Sequence, residues 1–322
     1  MRIFVTGGAG FIGSNFTRHL LETTDDEVTV FDALTYAGNR ANLADLEDDP
    51  RFSFVQGDIC DRQAVGAALP GHDAVVHFAA ESHVDRSLLD PDVFVRTNCS
   101  GTNVVCEVAS RSGVERFVHI STDEVYGSID EGSFAETDRL QPRSPYAAAK
   151  AGSDLIALAY HATHGLPVLV TRSSNQFGPY QFPEKLIPFF VTTLLEGGKV
   201  PLYGDGLNIR DWLDVRDNCA AVDLVLRRGE VGEIYNIGAH SERTNREITN
   251  LVLAALGRDE SSVEYVEDRL GHDRRYSVTT DRINALGWRA DRSFERTLDD
   301  TVRWYVDNRD WWEPLRTRVR NR

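Results

Sequence analysis

A glycine-rich turn at the start of the chain constrains the fold more than any other feature of the sequence. Residues 2–6 form a short apolar run suited to a buried strand, which leads into residues 7–13, Gly-Gly-Ala-Gly-Phe-Ile-Gly. The residues that follow predict a helix. Gly7 permits a tight turn, Gly10 lets the backbone approach a pyrophosphate, and Gly13 allows the helix to pack closely on the strand. Strand, turn and helix in this order predict a dinucleotide site.

A carboxylate follows at the position that such a site requires. Residues 28–31 form a second apolar run that ends in Asp32, 19 residues after Gly13. A carboxylate there accepts hydrogen bonds from the adenosine ribose and repels a 2′-phosphate. The sequence therefore predicts NAD rather than NADP.

Further apolar runs continue the alternation of strands and helices. Residues 52–55, 74–78 and 117–120 each read as a strand that ends in small or polar residues. The pattern predicts an α/β fold, a doubly wound parallel sheet of the Rossmann type with a smaller C-terminal α/β substrate domain. Ligands bind outside the carboxyl ends of such strands, and we expect Asp58 and Ile59 to flank the adenine.

The predicted domains are discontinuous in sequence. We expect residues 1–172 with a returning segment at about 208–236 to form the NAD-binding domain. Residues of about 173–207 with 237–322 would form the smaller substrate domain, which the resemblance described below implies binds a nucleotide sugar. The chain has 322 residues and 41% hydrophobic content, which is enough for one large core or two modest ones.

A cluster of reactive side chains occupies residues 121–127, Ser-Thr-Asp-Glu-Val-Tyr-Gly, followed by Tyr146 and Lys150. If a helix opens near Ser144, Tyr146 and Lys150 share one of its faces. We expect burial beside Lys150 and a positive nicotinamide ring to lower the phenol's pKa from about 10, which would make Tyr146 a base near neutrality. Thr122 would hold the same substrate oxygen. The cluster predicts an oxidoreductase site with an additional acid/base pair.

Composition narrows the classes of partner. The net charge of −15 argues against nonspecific binding to nucleic acid or to an anionic membrane. No apolar stretch approaches 18 residues, so we expect a soluble, cytoplasmic chain with no membrane partner. The four cysteines lack metal-ligand spacing, and we expect no metal site. The arginine-rich end, residues 316–322, is expected to be a solvated tail.

Several stretches together resemble one known superfamily. They are residues 7–13, 32–39 (Asp-Ala-Leu-Thr-Tyr-Ala-Gly-Asn), 79–87 (Ala-Ala-Glu-Ser-His-Val-Asp-Arg-Ser), 121–127, 175–188, 208–213 (Asn-Ile-Arg-Asp-Trp-Leu) and 268–276. The chain resembles the extended short-chain dehydrogenases/reductases, and within that superfamily it closely resembles the dTDP-glucose 4,6-dehydratases. The resemblance covers the whole chain. The triplet at residues 122–124 is specific to the dehydratases, whereas sugar-nucleotide epimerases usually carry other residues at Asp123 and Glu124.

The resemblance implies a hydro-lyase with tightly held NAD that converts dTDP-glucose to dTDP-4-keto-6-deoxy-glucose. In the implied cycle, Tyr146 takes the C4 hydroxyl proton while hydride leaves C4, and Glu124 removes the C5 proton. Asp123, if protonated, donates to the departing C6 hydroxyl, and hydride returns to C6. Like charges held close raise one pKa, which would separate the two carboxyl roles. We expect a turn or helix start at the triplet, so that both carboxyls reach the sugar.

The resemblance also implies three sets of site residues. The catalytic set is Thr122, Asp123, Glu124, Tyr146 and Lys150. The expected cofactor-binding set is Gly7, Gly10, Phe11, Ile12, Gly13, Asp32, Ala33, Leu34, Thr35, Gly38, Asp58, Ile59, Ala79, Ala80, Ser82, Thr97, Tyr146, Lys150 and Gln176. The expected substrate-binding set is Glu81, His83, Ser121, Asn175, Glu184, Lys185, Tyr203, Arg210, Asn245, Arg269 and His272. Lys185 and Arg210 suit a diphosphate, and Tyr203 would stack on the base.

Two other functions remain open. Another sugar-nucleotide enzyme, a 4-epimerase or a 4,6-dehydratase acting on a UDP-sugar, would use Tyr146, and an epimerase would not need the two carboxyls. A non-catalytic dinucleotide-binding regulator would predict damage to Tyr146, Lys150 or Thr122, all of which are intact. The resemblance further implies a homodimer in which each subunit packs two helices, one of them bearing Tyr146.

Overall fold

Twelve strands form three sheets in the computed structural model, which describes residues 1–268 and 272–320. The strands are β1 (Arg2–Thr6), β2 (Glu27–Asp32), β3 (Phe52–Gln56), β4 (Ala74–His77), β5 (Arg116–Thr122), β6 (Val168–Ser173), β7 (Asn175–Phe177), β8 (Val200–Tyr203), β9 (Ile209–Asp214), β10 (Ile234–Ile237), β11 (Glu242–Thr244) and β12 (Val263–Val266). The largest sheet is parallel throughout, with the order β3-β2-β1-β4-β5-β6-β10. The predicted doubly wound parallel sheet is therefore confirmed. The strand order reverses between β1 and β4, where such sheets bind their ligands.

Helices cover both faces of this sheet and also pack against the two smaller sheets. They are α1 (Phe11–Thr23), α2 (Arg62–Ala68), α3 (Val84–Leu89), α4 (Pro91–Phe94), α5 (Thr102–Ser112), α6 (Pro145–His164), α7 (Leu186–Leu195), α8 (Val215–Arg228), α9 (Asn245–Ala255), α10 (Asp281–Ala285), α11 (Phe294–Asp307) and α12 (Arg309–Arg320). A π-helical stretch at Val95–Gly101 joins α4 to α5, and short 3-10 helices occupy Arg40–Leu46, Asp123–Tyr126 and Glu260–Ser262.

The alternation of side chains along β1 explains why both faces are covered. Ile3 and Val5 lie in a core that also contains Phe16 of α1 and Val222 of α8. Phe4 points into the opposite core, with Val105 of α5. Successive strand residues face opposite sides, so a run that is apolar at every position must be buried on both.

A third core lies under the two smaller sheets, whose orders are β11-β9-β7 and β12-β8. It contains Phe177, Trp212, Ile248, Tyr305 and Trp312. The strands of the two small sheets are residues 175–177, 200–203, 209–214, 242–244 and 263–266. Helix α8 packs on α1 and β10 pairs with β6, so these two elements belong with the large sheet. The predicted division into a domain of residues 1–172 with 208–236 and a second of 173–207 with 237–322 stays a prediction.

The C-terminal helix α12 corrects one expectation. Arg316 is only 6% exposed, and its guanidinium donates to Thr192 Oγ1 at 2.9 Å and to Glu196 Oε2 at 2.9 Å. The expectation of a solvated tail is wrong for Arg316, because the helix places this side chain against α7. Among the described residues, no helix combines the length and the apolar character that a membrane crossing requires.

Candidate active site

The glycine turn has the shape of a phosphate cradle. Gly7 adopts a φ of +70°, and a Cβ atom at Gly13 would lie 2.4 Å from the carbonyl oxygen of Gly7. Only glycine at position 13 therefore lets α1 pack this closely on the turn. Gly10 is the N-cap residue of α1 and supplies no capping side chain. The first N–H groups of the 13-residue helix thus point toward the adjoining cavity, an arrangement suited to anionic phosphate.

Asp32 lies at the end of β2 and is 8% exposed. Its Oδ2 accepts the N–H of Ala9 at 2.9 Å, and its Oδ1 accepts the N–H of Leu34 at 2.8 Å. Burial raises the pKa of Asp32, and these two donors partly offset the rise. Each carboxylate oxygen carries a second lone pair. Asp32 can therefore still accept ribose hydroxyls while it fixes the turn.

A cavity of about 340 Å³ extends from this turn along the carboxyl ends of the strands. All of the expected cofactor-binding residues line it except Leu34, which lines the adjacent larger cavity and has a φ of +52°. The residues that line it are Gly7, Gly10, Phe11, Ile12, Gly13, Asp32, Ala33, Thr35, Gly38, Asp58, Ile59, Ala79, Ala80, Ser82, Thr97, Tyr146, Lys150 and Gln176. The glycine cradle and the buried Asp32 carboxyl at one end suit a dinucleotide.

The reactive triplet begins a short helix, as predicted. Thr122 ends β5 and caps the 3-10 helix Asp123–Tyr126, with its Oγ1 accepting the N–H of Glu124 at 3.3 Å. We call residues 122–126 the catalytic turn. Since the backbone leaves the extended conformation here, the side chains of Asp123 and Glu124 need not face opposite sides of the sheet. Both residues line the cofactor cavity.

The two carboxyl groups of the turn have different surroundings. Asp123 is 2% exposed, and burial raises its pKa well above the ordinary value, with further increases from the negative charges of Glu124 and Asp211. Its Oδ2 atom has no hydrogen-bond partner among the described residues. Asp123 therefore favours the protonated form. Glu124 is only partly buried and also lines the larger cavity.

Helix α6 carries the phenol and the amine. Ser144 caps the helix by accepting the N–H of Ala147 at 3.1 Å, and Pro145 takes the first helical position. Tyr146 and Lys150 are both buried in the cofactor cavity. Lys150 Nζ donates to the carbonyl oxygen of Ile120 at 2.6 Å, and burial lowers its pKa to about 8.

The expected effect of burial on Tyr146 is wrong in sign. Burial raises the pKa of Tyr146 well above the ordinary value, and the negative charge of Glu124 adds to the rise. The cause is that the phenolate loses its hydration in the interior. The hydrogen bond from Thr122 lowers the pKa of Tyr146, but by less than burial raises it. Any lowering of the pKa of Tyr146 must therefore come from positive charge beside the phenol and not from burial.

The larger cavity, of about 1420 Å³, adjoins the first. The expected substrate residues that line it are Glu81, His83, Asn175, Glu184, Lys185, Tyr203, Arg210, Asn245 and His272. Ser121 lines the cofactor cavity instead, and Arg269 lies outside the described residues. Glu81, Glu124, Asn175, Glu184 and Lys185 line both cavities. The two cavities thus meet at the catalytic turn.

Two of the cations that line the larger cavity, Arg210 and Lys185, were expected to bind the substrate. Arg210 is 6% exposed and donates to the carbonyl oxygens of Ile209 and Asp273, with its Cζ 4.2 Å from the centre of the Tyr276 ring. These carbonyl acceptors carry no net charge, so they orient the guanidinium without neutralising it. Lys185 Nζ donates to the carbonyl oxygen of Ser82 at 2.5 Å. Both cations therefore suit an anionic ligand.

Tyr203 lies at the outer part of this cavity. It is 39% exposed, and its ring meets the His272 ring edge to face with centroids 6.5 Å apart. His272 Nδ1 lies 2.6 Å from Asp268 Oδ1. An exposed aromatic face beside a polar pair suits a planar base.

Two residues at the junction of the cavities were not predicted from the sequence. Tyr36 lines both cavities, and the Arg86 guanidinium lies 4.0 Å from the centre of its ring. Arg86 Nε also donates to Glu184 Oε2 at 3.1 Å. Tyr36 and Arg86 both belong to stretches that carry the resemblance. Their proximity could not be predicted, because it depends on contacts among three segments that are distant in sequence.

Comparison with known proteins identifies close relatives over the full length. A family model described as GDP-mannose 4,6 dehydratase matches residues 4–301. The dTDP-glucose 4,6-dehydratase of Streptomyces antibioticus is 54% identical, covering 99% of this chain and 96% of the relative.

Solved structures agree with this comparison. DesIV, a dTDP-glucose 4,6-dehydratase from Streptomyces venezuelae solved with NAD and dTDP bound, has a TM-score of 0.96 and 58% identity, covering 98% of this chain and 100% of that one. The UDP-glucose 4-epimerase of Thermus thermophilus, solved with NAD, has a TM-score of 0.88 and 32% identity, covering 96% of this chain and 100% of that one. The fold is shared with epimerases, but the higher identity is with the dehydratases.

Proposed function

This chain belongs to the dTDP-glucose 4,6-dehydratases, and we propose on that basis how its residues convert dTDP-glucose to dTDP-4-keto-6-deoxy-glucose. The protein is a hydro-lyase that uses NAD. The observation that supports the residue roles is the meeting of two cavities at the catalytic turn, where Glu124 lines both. A sugar in the larger cavity can therefore reach both the phenol and the carboxyls.

The smaller cavity holds the cofactor. The glycine turn binds the pyrophosphate at the start of α1, and Asp32 binds the adenosine ribose. NAD held by these residues would supply reversible hydride transfer, through which a hydride removed at C4 of the sugar is restored at C6.

Tyr146 and Thr122 bind the C4 hydroxyl. Tyr146 takes its proton as general base, and the positive charge of Lys150, one helical turn away, stabilises the phenolate. Lys150 is fixed by its bond to the Ile120 carbonyl and remains protonated below its pKa of about 8. Because burial alone raises the pKa of the phenol, Tyr146 can act as a base only where positive charge from Lys150, and from the nicotinamide ring when NAD is bound, outweighs burial.

The two carboxyls perform the elimination. Glu124 removes the C5 proton, which the adjacent C4 ketone makes acidic. Asp123, protonated because burial raises its pKa, donates to the C6 hydroxyl so that water leaves. Glu124 then returns a proton to C5 as hydride reaches C6. Arg210 and Lys185 bind the diphosphate, and Tyr203 stacks on the base.

The test of this function needs only the purified protein, its bound cofactor and dTDP-glucose, with no added reductant. We expect the sugar nucleotide to lose the mass of one water and to form a 4-keto sugar without net change in the cofactor. A product of unchanged mass with altered C4 configuration would identify an epimerase. Dehydration of UDP-glucose but not dTDP-glucose would move the assignment to another sugar-nucleotide dehydratase.

The proposal includes a homodimer formed through α6. The outward side of this helix presents Ala148, Leu155 and Ala159, and Leu155 is 60% exposed. A helix that is apolar on its outer face as well as its inner one is normally covered. Sedimentation velocity should show a dimer that Leu155→Asp converts to monomer, while Val306→Asp, at a similarly exposed apolar residue of α11, leaves the dimer intact.

We also propose a cytoplasmic location. Cys60, Cys99, Cys106 and Cys219 are all free thiols. Free thiols are typical of proteins in reducing compartments. Fractionation of cells that express the protein at its natural level would test this location.

A further inference from the structure

A buried bridge of polar side chains connects the two elements that carry the catalytic groups. Its members are Tyr126, Asp154, Arg172 and Asn236, each at most 2% exposed. Tyr126 belongs to the catalytic turn, Asp154 to α6, Arg172 to β6 and Asn236 to β10. The described residues that line the two cavities include none of these four. Their effect on the reaction must therefore be exerted through other residues.

The geometry of the bridge is set by one guanidinium. Arg172 Nε donates to Asp154 Oδ2 at 2.9 Å, and Arg172 Nη1 donates to the Tyr126 hydroxyl oxygen at 2.8 Å. The Tyr126 hydroxyl in turn donates to Asn236 Oδ1 at 2.8 Å. A guanidinium is planar and rigid. Its two bonds therefore fix the separation between helix α6 and the catalytic turn.

The attachment points lie close to the reacting groups. Asp154 follows Lys150 by four residues, so it extends the buried face of α6 on which Tyr146 and Lys150 lie. Tyr126 follows Glu124 by two residues within the same 3-10 helix. The bridge thus connects the side that oxidises C4 to the side that eliminates water.

Stability alone does not account for such an arrangement. Removing two charges from water costs several kcal/mol for each ion, and replacing a buried ion pair with apolar residues is often neutral or stabilising. By itself burial would raise the pKa of Asp154, but His119, whose Nε2 lies 3.3 Å from Asp154 Oδ1, and the charges of Arg172 and Lys150 hold that pKa below the ordinary value. Asp154 therefore stays ionised. A buried pair of charges therefore costs free energy, but it holds its two partners rigidly.

Resting on the proposed function, we propose that Arg172, Tyr126 and Asp154 are positioning residues that hold Glu124 and Asp123 in register with Tyr146. Oxidation at C4 needs Tyr146 and Lys150 on α6 and Thr122, which ends β5. Elimination also needs Asp123 and Glu124, further along the catalytic turn, to be aligned with Tyr146 on one sugar. Loss of a bridging bond should slow elimination more than oxidation. A merely structural role would instead lower the amount of folded protein and leave the ratio of the two steps unchanged.

The variant Tyr126→Phe tests the proposal, because it removes the bridging hydroxyl and keeps the buried ring. The matched control is Tyr235→Phe, which removes a buried hydroxyl that accepts the Glu230 N–H at 2.8 Å. Tyr235 precedes the bridge residue Asn236 on β10, so the two side chains face opposite sides of the sheet. Reactions are quenched with borodeuteride, which labels keto sugars, and mass spectrometry separates oxidised sugar that keeps its C6 hydroxyl from dehydrated sugar.

We expect Tyr126→Phe to lower kcat about 10- to 100-fold with little change in KM, and to accumulate oxidised sugar that still carries its C6 hydroxyl. Tyr235→Phe should match the wild type in both respects. Arg172→Lys, which keeps the charge and loses the fork, should accumulate the same species. The same ratio of oxidised to dehydrated sugar in Tyr126→Phe and Tyr235→Phe would contradict the proposal that the bridge positions the catalytic groups. Failure of the wild type to dehydrate dTDP-glucose would instead overturn the proposed function.

Discussion

At the scale of single residues, the sharpest expectation concerns Glu124. The variant Glu124→Gln keeps the size of the side chain and removes the base assigned to C5. We predict that NAD content is unchanged and that C4 is still oxidised, but that dehydration falls at least about 100-fold, the usual contribution of a general base. Rapid quench with mass analysis of the sugar checks this. Full dehydration by the variant would show that another group takes the C5 proton.

The protonation state of Asp123 should be detectable in the pH dependence of the protein's stability. Its pKa is raised in the folded protein, so the folded state holds the proton more tightly than the unfolded chain does. The resulting loss of stability is absent below the unfolded pKa of about 4 and grows as pH rises toward the folded pKa, by up to about 1.4 kcal/mol for each pH unit. Asp123→Asn removes this loss.

Thermal unfolding should therefore show a higher Tm for Asp123→Asn than for the wild type at pH 7, with the two converging near pH 4. The same variant should lose dehydration, because the amide cannot donate the acid proton. A Tm difference that did not depend on pH would show that Asp123 is ionised when folded.

The identity of the reactive residues follows from sequence, but their energetics do not. Residue spacing placed Tyr146 and Lys150 on one helical face, and the structure confirms that helix. The sign of the shift in the pKa of Tyr146 could not be predicted, since it depends on how completely the surrounding chain removes water. The rise that the charge of Asp211 causes in the pKa of Asp123 likewise depends on how the fold places β9 relative to the catalytic turn, which is distant from it in sequence.

At the scale of elements, the packing of α1 on the glycine turn depends on Gly13. A Cβ there would lie 2.4 Å from the Gly7 carbonyl oxygen and 2.8 Å from Gly8 Cα, and backbone atoms cannot easily move aside. We predict that Gly13→Ala displaces α1 and yields protein with little bound NAD. The measurement is the NAD released on denaturing the purified variant.

Gly66→Ala is the matched control for this prediction. Gly66 lies in α2, and a methyl group added to it would meet no described atom within 4 Å. Alanine should therefore stabilise the helix by about 0.5–1 kcal/mol without changing NAD content. Normal NAD content in Gly13→Ala would show that the close approach is dispensable.

Local patterns predicted the elements better than their contacts. The strands expected at residues 28–31 and 117–120 are present and each extends beyond the expected run, to Glu27–Asp32 and Arg116–Thr122. The bridge from Arg172 to Tyr126 was not predictable, because an arginine within an apolar strand gives no indication of which element it will contact. Tertiary packing alone decides that contact.

At the scale of the whole molecule, α12 joins regions that are far apart in sequence. Trp311 Nε1 donates to Asn42 Oδ1 at 2.8 Å, and Asn42 Nδ2 donates to the carbonyl oxygen of Ala9 in the glycine turn at 2.9 Å. The neighbouring Trp312 is fully buried in the third core. The strand order could be anticipated from the alternating elements. The contacts of α12 could not be anticipated, since arginine-rich termini are usually solvated.

Two arginines of α12 allow the contribution of this helix to the free energy of unfolding to be measured. Arg316 is buried, with bonds to two threonines and Glu196, whereas Arg309 pairs with Glu313 at the surface, where both side chains are about half exposed. Removing one partner of a buried pair leaves the other charge poorly solvated, while a surface pair contributes about 0–1 kcal/mol. We predict that Arg316→Met lowers the free energy of unfolding by about 2–3 kcal/mol in urea titrations. Arg309→Met should lower it by less than about 1 kcal/mol. Equal losses would mean that α12 contributes through its tryptophans alone and that the buried guanidinium is not what fixes the helix in place.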